Sequence, residues 1–155
     1  MNKEIIARAG EIIAQNTGSK GHCVLALLDE NGWPTASTIS PAKAQGIEWI
    51  TFCTGLTGNS AKRAQASSRA CVCFSTGEYN ISLVGTIEVL TDVATKQEMW
   101  YAGLENHFSG PDDPNFCVLR FQTRRYSIYM EGNAAKGTFI VRYYSANNNI
   151  HGSVQ

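Results

Sequence analysis

The apolar residues at the start of the chain follow helical spacing. They recur at intervals of three and four residues and share one face: Ile5, Ile6, Ala9, Ile12 and Ile13. Gly18 follows them as a stop signal. The pattern predicts an amphipathic helix over residues 3–16 that lies against another part of the protein.

The rest of the chain is divided into short apolar or alternating segments, which are typical of β-strands. The expected strands cover residues 22–29, 34–40, 47–53, 70–76, 80–91, 116–122 and 126–130. Asn31-Gly32 predicts a hairpin turn between the first two strands. Gly85, inside a long strand, predicts a bulge or the close approach of another backbone. Residues 138–144 are also strand-like.

Helical and loop segments separate some of these strands. Turn-forming residues 54–59 lead into a short helix over residues 60–66, with Asn59 or Ser60 as its N-cap. Two further segments lie before the last strands, and we expect helix over 93–102 and loop over 106–115.

The order of elements indicates the fold class. Six or seven strands with one helix after the third favour a mainly β (α+β) fold rather than a parallel βαβ sheet. We expect a closed or partly closed antiparallel barrel with short flanking helices. One domain should cover residues 1–145, with a flexible polar tail over residues 146–155.

Charge and composition narrow the partners and the compartment. Lysine plus arginine balance aspartate plus glutamate, 13 against 13, so we expect neither nucleic acid nor an anionic membrane as a partner. No apolar run approaches the roughly 20 residues that span a bilayer, and the charged N-terminus lacks a signal-peptide core. The five cysteines lie mostly in apolar segments, which indicates reduced thiols and a cytoplasmic location.

One glycine-containing segment has the chemistry of a phosphate site. Gly55, Gly58 and Lys62 form a turn that runs into the short helix. Amides at a helix N-terminus, the hydroxyls of Thr57 and Ser60 and a lysine ammonium suit a phosphate. The spacing is not that of a Walker loop. The alternative is an ordinary capped surface helix with solvated basic side chains.

Hydroxyl side chains also cluster on the strand after the hairpin. They belong to Thr35, Ser37, Thr38 and Ser40, and alternation puts the last two on one face and the first two away from it. Two interpretations remain open. The segment is either an edge strand with one solvated face or a strand whose hydroxyls bind a polar ligand.

The residues that commonly bind metals are not grouped along the chain. His22, His107 and His151 lie far apart, and none has a Cys, Asp or Glu at ligand spacing. Cys71 and Cys73 share a strand face but have no second pair of ligands. We therefore expect no metal site and interpret the two thiols as core residues.

Four segments in a fixed order resemble a known family. They are ENGWPTASTIS, WITFCTGLTGNSAKRAQ, SSRACVCFSTGEYNISLVGTIEV and MWYAGLENHFSGPDDPNFCVLRFQTRRYSIYMEG. Together they are similar to the pyridoxamine 5′-phosphate oxidase-like FMN-binding split-barrel superfamily, and within it to the general stress protein 26-like branch. The resemblance covers residues 3–132 and implies an antiparallel split β-barrel that holds FMN at the interface of a homodimer.

The resemblance also implies which residues bind the cofactor. They are Ser37, Thr38, Ile39, Ser40, Cys53, Thr54, Ser60, Lys62 and Asn80. The family runs the strand at 37–40 along the flavin ring, and Cys53 and Thr54 fall where it contacts the ring and ribityl chain. Lys62 matches the phosphate-binding lysine. Asn80 stands where the oxidases place a glutamine that reaches FMN from the partner subunit.

Several positions depart from the vitamin B6 oxidases. Arginines of those enzymes align with Ser37 and Ala61, and their substrate-phosphate lysine aligns with Ala42. A closing tryptophan and arginine pair is not evident; Tyr129 or Met130 holds its approximate place. The departures argue against a true pyridoxamine phosphate oxidase.

The expected function is therefore an FMN-dependent oxidoreductase that acts on an unidentified small molecule. A nicotinamide is a candidate reductant, and no residue stands out as a catalytic acid or base. Two alternatives remain open. One is a non-catalytic flavin-binding or stress-related module, and the other is a split barrel that uses a deazaflavin or haem.

Overall fold

A computed structural model describes residues 2–139 of the chain. Its first element is helix α1, Asn2–Gln15, which confirms the helix expected from the apolar spacing. The residues buried along its face are Ile5, Ala9, Ile12 and Ile13. Helix α1 packs against three strands, Pro41–Gln45, Phe116–Met130 and Asn133–Thr138.

Eight strands form one antiparallel sheet in the described part of the chain. Their bounds are β1 Cys23–Leu28, β2 Pro34–Ile39, β3 Pro41–Gln45, β4 Trp49–Gly55, β5 Arg69–Ser75, β6 Tyr79–Leu90, β7 Phe116–Met130 and β8 Asn133–Thr138. Two more α-helices are α2, Asn59–Ala66, and α3, Val93–Met99, and a 3-10 turn covers Leu104–Asn106. The mainly antiparallel split-barrel architecture is thus confirmed, with one or two strands more than expected.

The strand order explains how the sheet becomes a barrel. The order is β2-β1-β5-β6-β7-β4-β3, with β8 paired to β7. The two edge strands β2 and β3 are consecutive in the chain and are separated only by Ser40. A sheet whose two edges are joined by one residue must curl, so the split lies beside β2 and β3.

Strand β7 corrects the expectation of two separate strands. Its first half pairs with β4, its second half pairs with β8, and β6 runs alongside both halves. The register with β6 shifts between Val84 and Gly85, where Val84 is opposite Arg125 and Gly85 is opposite Thr123. The expected irregularity at Gly85 is confirmed.

Two apolar clusters lie on opposite faces of the sheet. The larger fills the barrel and includes Phe52, Leu83 and Phe121, which are almost fully buried. The smaller lies where α3 and the 3-10 turn cover the other face of β4 and β7, and its buried members include Met99 and Phe116.

Three local expectations are wrong. Strand β3 was missed because its sequence, PAKAQ, is short and largely polar or small. The helix expected over 93–102 ends at Met99, since Trp100 has extended backbone angles. The N-cap of α2 is Gly58, not Asn59 or Ser60.

Two expectations concern the end of the chain. The strand expected over 138–144 lies mostly outside the described residues, and the tail over 146–155 lies wholly outside them.

Candidate functional site

The turn between β4 and α2 gives the helix an uncapped start. The N-cap residue Gly58 has extended angles, φ −78° and ψ 162°, and has no side chain with which to cap the first amides. Ala61 and Ala64 face the core, while Ser60 is half-buried and Lys62 is exposed. The first turn of α2 therefore has free backbone N–H groups, and the Ser60 hydroxyl and the Lys62 ammonium are carried by residues of the same segment.

Strand β2 lies beside this helix. The Arg63 guanidinium of α2 donates to the Thr35 hydroxyl at 3.1 Å (Nη1 to Oγ1), and Thr35 in turn donates to the Leu27 carbonyl. At the other end of β2, the chain enters β3 where Pro41 pairs with Phe52 of β4. Strand β2 thus runs from the last turn of α2, at Thr35, to the junction with β3, which pairs with β4.

The cofactor residues expected on β2 lie at this open edge. Ser37 and Ile39 share the inner face, opposite Leu25 and Cys23, while Thr38 faces outward beside Val24. Ser37 is exposed although Leu25 opposite it is buried, because β2 has a neighbour on one side only. Ser40 is half-buried at the junction with β3.

Cys53 and Thr54 stand at the end of β4 but face different ways. The Cys53 thiol donates to the Met99 carbonyl at 3.4 Å, towards α3. Burial, with a smaller contribution from Cys117, raises the pKa of Cys53 to about 12, so this thiol stays protonated. Thr54 is half-buried and pairs with Cys117 on β7.

Asn80 is separated from the other eight expected site residues. It is exposed at the start of β6. Leu90, ten residues further along β6, pairs with Val118 of β7, which lies beside the end of β4. Ten residues of strand measure about 33 Å. Asn80 is also three strands away from β2, and its side-chain oxygen accepts a bond from the Cys73 thiol at 3.4 Å.

Three residues outside the predicted cofactor set shape the site, of which Thr35 was noted only as part of the hydroxyl cluster. Thr35 and Arg63 form the link between β2 and α2, and Asn115 accepts hydrogen bonds from Thr57. Thr57 therefore directs its hydroxyl proton to Asn115 rather than outward. The signal for Asn115 was its place directly after the Gly-Pro-Asp-Asp-Pro loop.

The local charge of the site is positive. Residues 54–66 contain Lys62 and Arg63 but neither aspartate nor glutamate.

Over residues 2–139, no group of three or more His, Cys, Asp or Glu side chains is arranged to hold a metal ion. Within the same range, no helix is long and apolar enough to cross a membrane.

Solved structures with this fold bind different cofactors. A protein related to general stress protein 26 from Clostridium acetobutylicum is 22% identical with a TM-score of 0.77, over 89% of this chain and 96% of that one. A pyridoxamine 5′-phosphate oxidase-related, FMN-binding protein from Nostoc punctiforme is 14% identical with a TM-score of 0.60, over 90% and 95%. A haem-binding protein from Mycobacterium smegmatis is 18% identical with a TM-score of 0.66, over 86% and 57%.

Sequence comparison identifies the family. No curated protein sequence matches the chain, and identities of 14–22% to the three structures establish a shared fold only. The profile of the family described as pyridoxamine 5′-phosphate oxidase like, however, matches residues 12–153, which is most of the 155 residues. The chain therefore belongs to the pyridoxamine 5′-phosphate oxidase-like family.

Proposed function

We propose that this protein binds FMN and acts as an oxidoreductase on a small molecule. The observations that carry the proposal are the exposed edge of β2 at the split of the barrel and the uncapped, positively charged start of α2, with the last turn of α2 tied to the beginning of β2 by Arg63 and Thr35. An extended, flat ring system with a phosphate at one end fits that arrangement. Family membership supports the same cofactor.

The phosphate end is the better defined half of the proposed site. A phosphate monoester carries close to two negative charges at neutral pH, and the N-terminus of a helix attracts anions through its free amides and its dipole. Lys62 adds a full charge beside these amides, and Ser60 adds a hydroxyl donor. Residues 54–66 contribute no opposing carboxylate.

The ring end of the proposed site lies along the split of the barrel. The outer edge of β2 carries backbone N–H and C=O groups that no strand within residues 2–139 uses, and these suit the nitrogen and oxygen atoms of a flavin. Residues 37–40 supply that edge, and Cys53 and Thr54 stand near the ribityl position. Bound FMN would supply the electron chemistry, while the protein binds, orients and shields it.

The substrate is proposed to be something other than pyridoxamine phosphate. Ala42 takes the place of the lysine that binds the substrate phosphate in the vitamin B6 oxidases, and it is buried. Ser37 and Ala61 stand where those enzymes have arginines. Without these charges, a second phosphate has no strong partner. We expect a small-molecule substrate of lower charge and a nicotinamide as the electron donor.

The test is the colour and redox behaviour of the purified protein. We expect flavin absorbance bands in the protein as isolated, or after FMN is added and the excess is removed. NADH and NADPH should bleach these bands, and acceptors such as quinones and nitro compounds should restore them. A protein that stays colourless and ignores added FMN contradicts the proposal. Absorbance in the Soret region after incubation with haem would instead favour a haem cofactor, as in the haem-binding neighbour. Incubation with an excess of a deazaflavin tests the third candidate cofactor.

A non-catalytic flavin-binding or stress-related role is the second candidate. Every pKa shift found in residues 2–139 moves a thiol or Tyr101 upward or a carboxyl downward, and therefore away from neutral pH. Catalytic acids and bases are usually tuned towards the working pH. Stoichiometric FMN binding without turnover over the same panel of reductants and acceptors would favour this role.

We also propose that the protein works as a homodimer with FMN at its interface. The outer face of the central strands carries small uncharged side chains: Val24, Ala26, Cys71, Cys73, Ser82 and Val84. A sheet face of this composition is suited to burial. Asn80 borders this face, so it would serve the site of a second copy rather than its own.

The dimer is tested by a charge on the proposed interface. We expect Val24→Glu, at a position that is 39% exposed in one chain, to elute as a monomer in gel filtration and to lose FMN. The exposed loop substitution Ala102→Glu is the matched control and should change neither property. Wild-type protein that runs as a monomer at all concentrations contradicts the dimer.

Two further parts of the proposal concern the residue range of the domain and the cellular compartment of the protein. The flavin domain is proposed to extend to residue 145; residues 140–155 lie outside the described part of the chain. The cytoplasm is the proposed compartment, because all five cysteines are free thiols in the structure and a reducing environment keeps thiols in that form. Fractionation of the native host would test the location.

A further inference from the structure

A loop ahead of β7 lies behind the turn that begins α2. The Asn115 carbonyl oxygen accepts the Leu56 N–H at 2.8 Å. The Asn115 side-chain oxygen accepts both the N–H and the hydroxyl of Thr57, each at 3.2 Å. A Cβ atom on Gly55 would lie 2.9 Å from the Asn115 amide nitrogen. Asn115 thus contacts three consecutive residues of the turn.

Asn115 is itself held from two directions. The Asp113 carboxylate accepts the N–H groups of Ser109 and Asn115, both at 2.9 Å. The ammonium of Lys96, a buried residue of α3, donates to the Asp113 carbonyl at 2.9 Å and lies 5.7 Å from the centre of the Phe116 ring. The loop is therefore fixed to α3 as well as to β7.

These contacts decide which amides remain for a ligand. The N–H groups of Leu56 and Thr57 donate to Asn115, and that of Gly58 donates to the Gly55 carbonyl at 3.0 Å. The turn before the helix is therefore satisfied internally. The donors available to an anion are those of the first turn of α2, and the direction in which they point depends on the shape of residues 55–58.

We propose that Asn115 is a positioning residue for phosphate recognition, which makes the site selective for FMN over riboflavin. The inference rests on the proposed FMN site. Asn115 faces the back of the turn, and by fixing the turn it aims the first amides of α2 and the Lys62 side chain at one phosphate monoester. Donors held in place before binding lose less entropy when the ligand arrives. The residues proposed to contact the ring and the ribityl chain, 37–40, Cys53 and Thr54, lie outside residues 55–58.

The experiment compares two flavins that differ only in the phosphate. The dissociation constants of FMN and riboflavin are measured by fluorescence quenching for wild type, Asn115→Ala and the exposed control Asn106→Ala. We expect Asn115→Ala to weaken FMN about tenfold, the effect of losing about one net hydrogen bond, and to leave riboflavin within twofold. Asn106→Ala should leave both constants unchanged. Hydrogen exchange of the wild type and Asn115→Ala, without ligand, should show faster exchange at Thr57 in the variant, because the Thr57 N–H loses its side-chain acceptor while the Leu56 N–H keeps the main-chain carbonyl.

The outcomes separate the inference from the proposed function. If wild type binds FMN but Asn115→Ala loses FMN and riboflavin by the same factor, or loses neither, Asn115 has no selective role and the inference is overturned. Unchanged exchange at Thr57 also overturns it, because the turn then does not depend on the Asn115 side chain. A wild type that binds neither flavin removes the proposed function, and the inference with it.

Discussion

Gly85 of β6 lies against the carbonyl of Gln122 on β7 so closely that a Cβ atom on Gly85 would come within 1.9 Å of the Gln122 oxygen. The same Cβ would also lie 3.1 Å from the Phe121 ring. The register shift at this point lets β7 bend, so that its first half follows β4 and its second half follows β8. The shape of the barrel thus depends on a missing side chain.

We expect Gly85→Ala to lower the free energy of unfolding by about 3 kcal/mol or more, because the new methyl group must displace backbone and not only a flexible side chain. Urea denaturation followed by circular dichroism measures the change. Gly77→Ala is the control, since a Cβ at that exposed turn position meets nothing within 4 Å. Equal stability of the two variants would contradict the close approach.

Lys62→Ala should weaken FMN binding by about 1.5–3 kcal/mol, the size of a charge-assisted hydrogen bond to phosphate. The exposed position of Lys62 on α2 means that the fold should tolerate the change. Titration with FMN measures the affinity, and Lys3→Ala, at the start of α1, controls for the loss of one positive charge. Unchanged affinity would refute Lys62 as the phosphate ligand.

Three thiols should resist modification in the folded protein. Burial raises the pKa of Cys23 and of Cys53 to about 12 and that of Cys117 to about 11, so thiolate, the reactive form, is scarce at pH 8. We expect a thiol reagent such as DTNB to reach these three only after denaturant is added. Mass spectrometry of the labelled peptides identifies the sites. Rapid labelling of Cys53 in the native protein would contradict its contact with the Met99 carbonyl.

The loop that holds Asn115 should depend on pH through Asp113. Hydrogen bonds from the backbone of Ser109 and Asn115 lower the pKa of Asp113. A carboxyl whose pKa is lower in the folded than in the unfolded protein contributes stability above its unfolded pKa of about 4, and this contribution is lost as the pH falls through the folded pKa.

Asp113→Asn should therefore be less stable than wild type at pH 7 and should approach it in stability near pH 3. Asn keeps one acceptor oxygen where the carboxylate offers two, so one of the two backbone bonds is lost. Urea denaturation at both pH values measures the difference. Asp112→Asn, at the exposed neighbouring position, should show little change. A difference in stability between wild type and Asp113→Asn that is as large at low pH as at pH 7 would contradict a contribution from the Asp113 charge.

Much of the fold followed from local pattern. The spacing of Ile5, Ile12 and Ile13 predicted α1 because a helix face has to be apolar in order to pack. Gly85 marked an irregular strand pairing for a steric reason that is visible in the residue type alone. Strand β3 was not predicted because the residues that form it gain their strand conformation from pairing with β4 rather than from their own preference.

The candidate site was predictable only in part. The motif around Lys62 was evident because its residue types have the chemistry of a phosphate site. The contacts between Thr35 and Arg63 and between Thr57 and Asn115 span 28 and 58 residues, and no local pattern encodes such a distance. The N-cap was assigned to Asn59 or Ser60 from capping preference, yet the turn held by Asn115 starts the helix at Gly58.

By itself, the sequence determined most of the strands and helices, which face of α1 is buried, and that a glycine-containing turn with the residue types of the proposed phosphate site lies between β4 and α2. These features depend on neighbouring residues and on periodicity, which a chain carries with it. Only the tertiary structure decided that β2 is tied to the last turn of α2, that the Cys53 thiol turns to α3, and that Asn80 lies apart from the other candidate site residues. Those features depend on how the sheet curls and pairs, and that is set by contacts between residues distant in the chain.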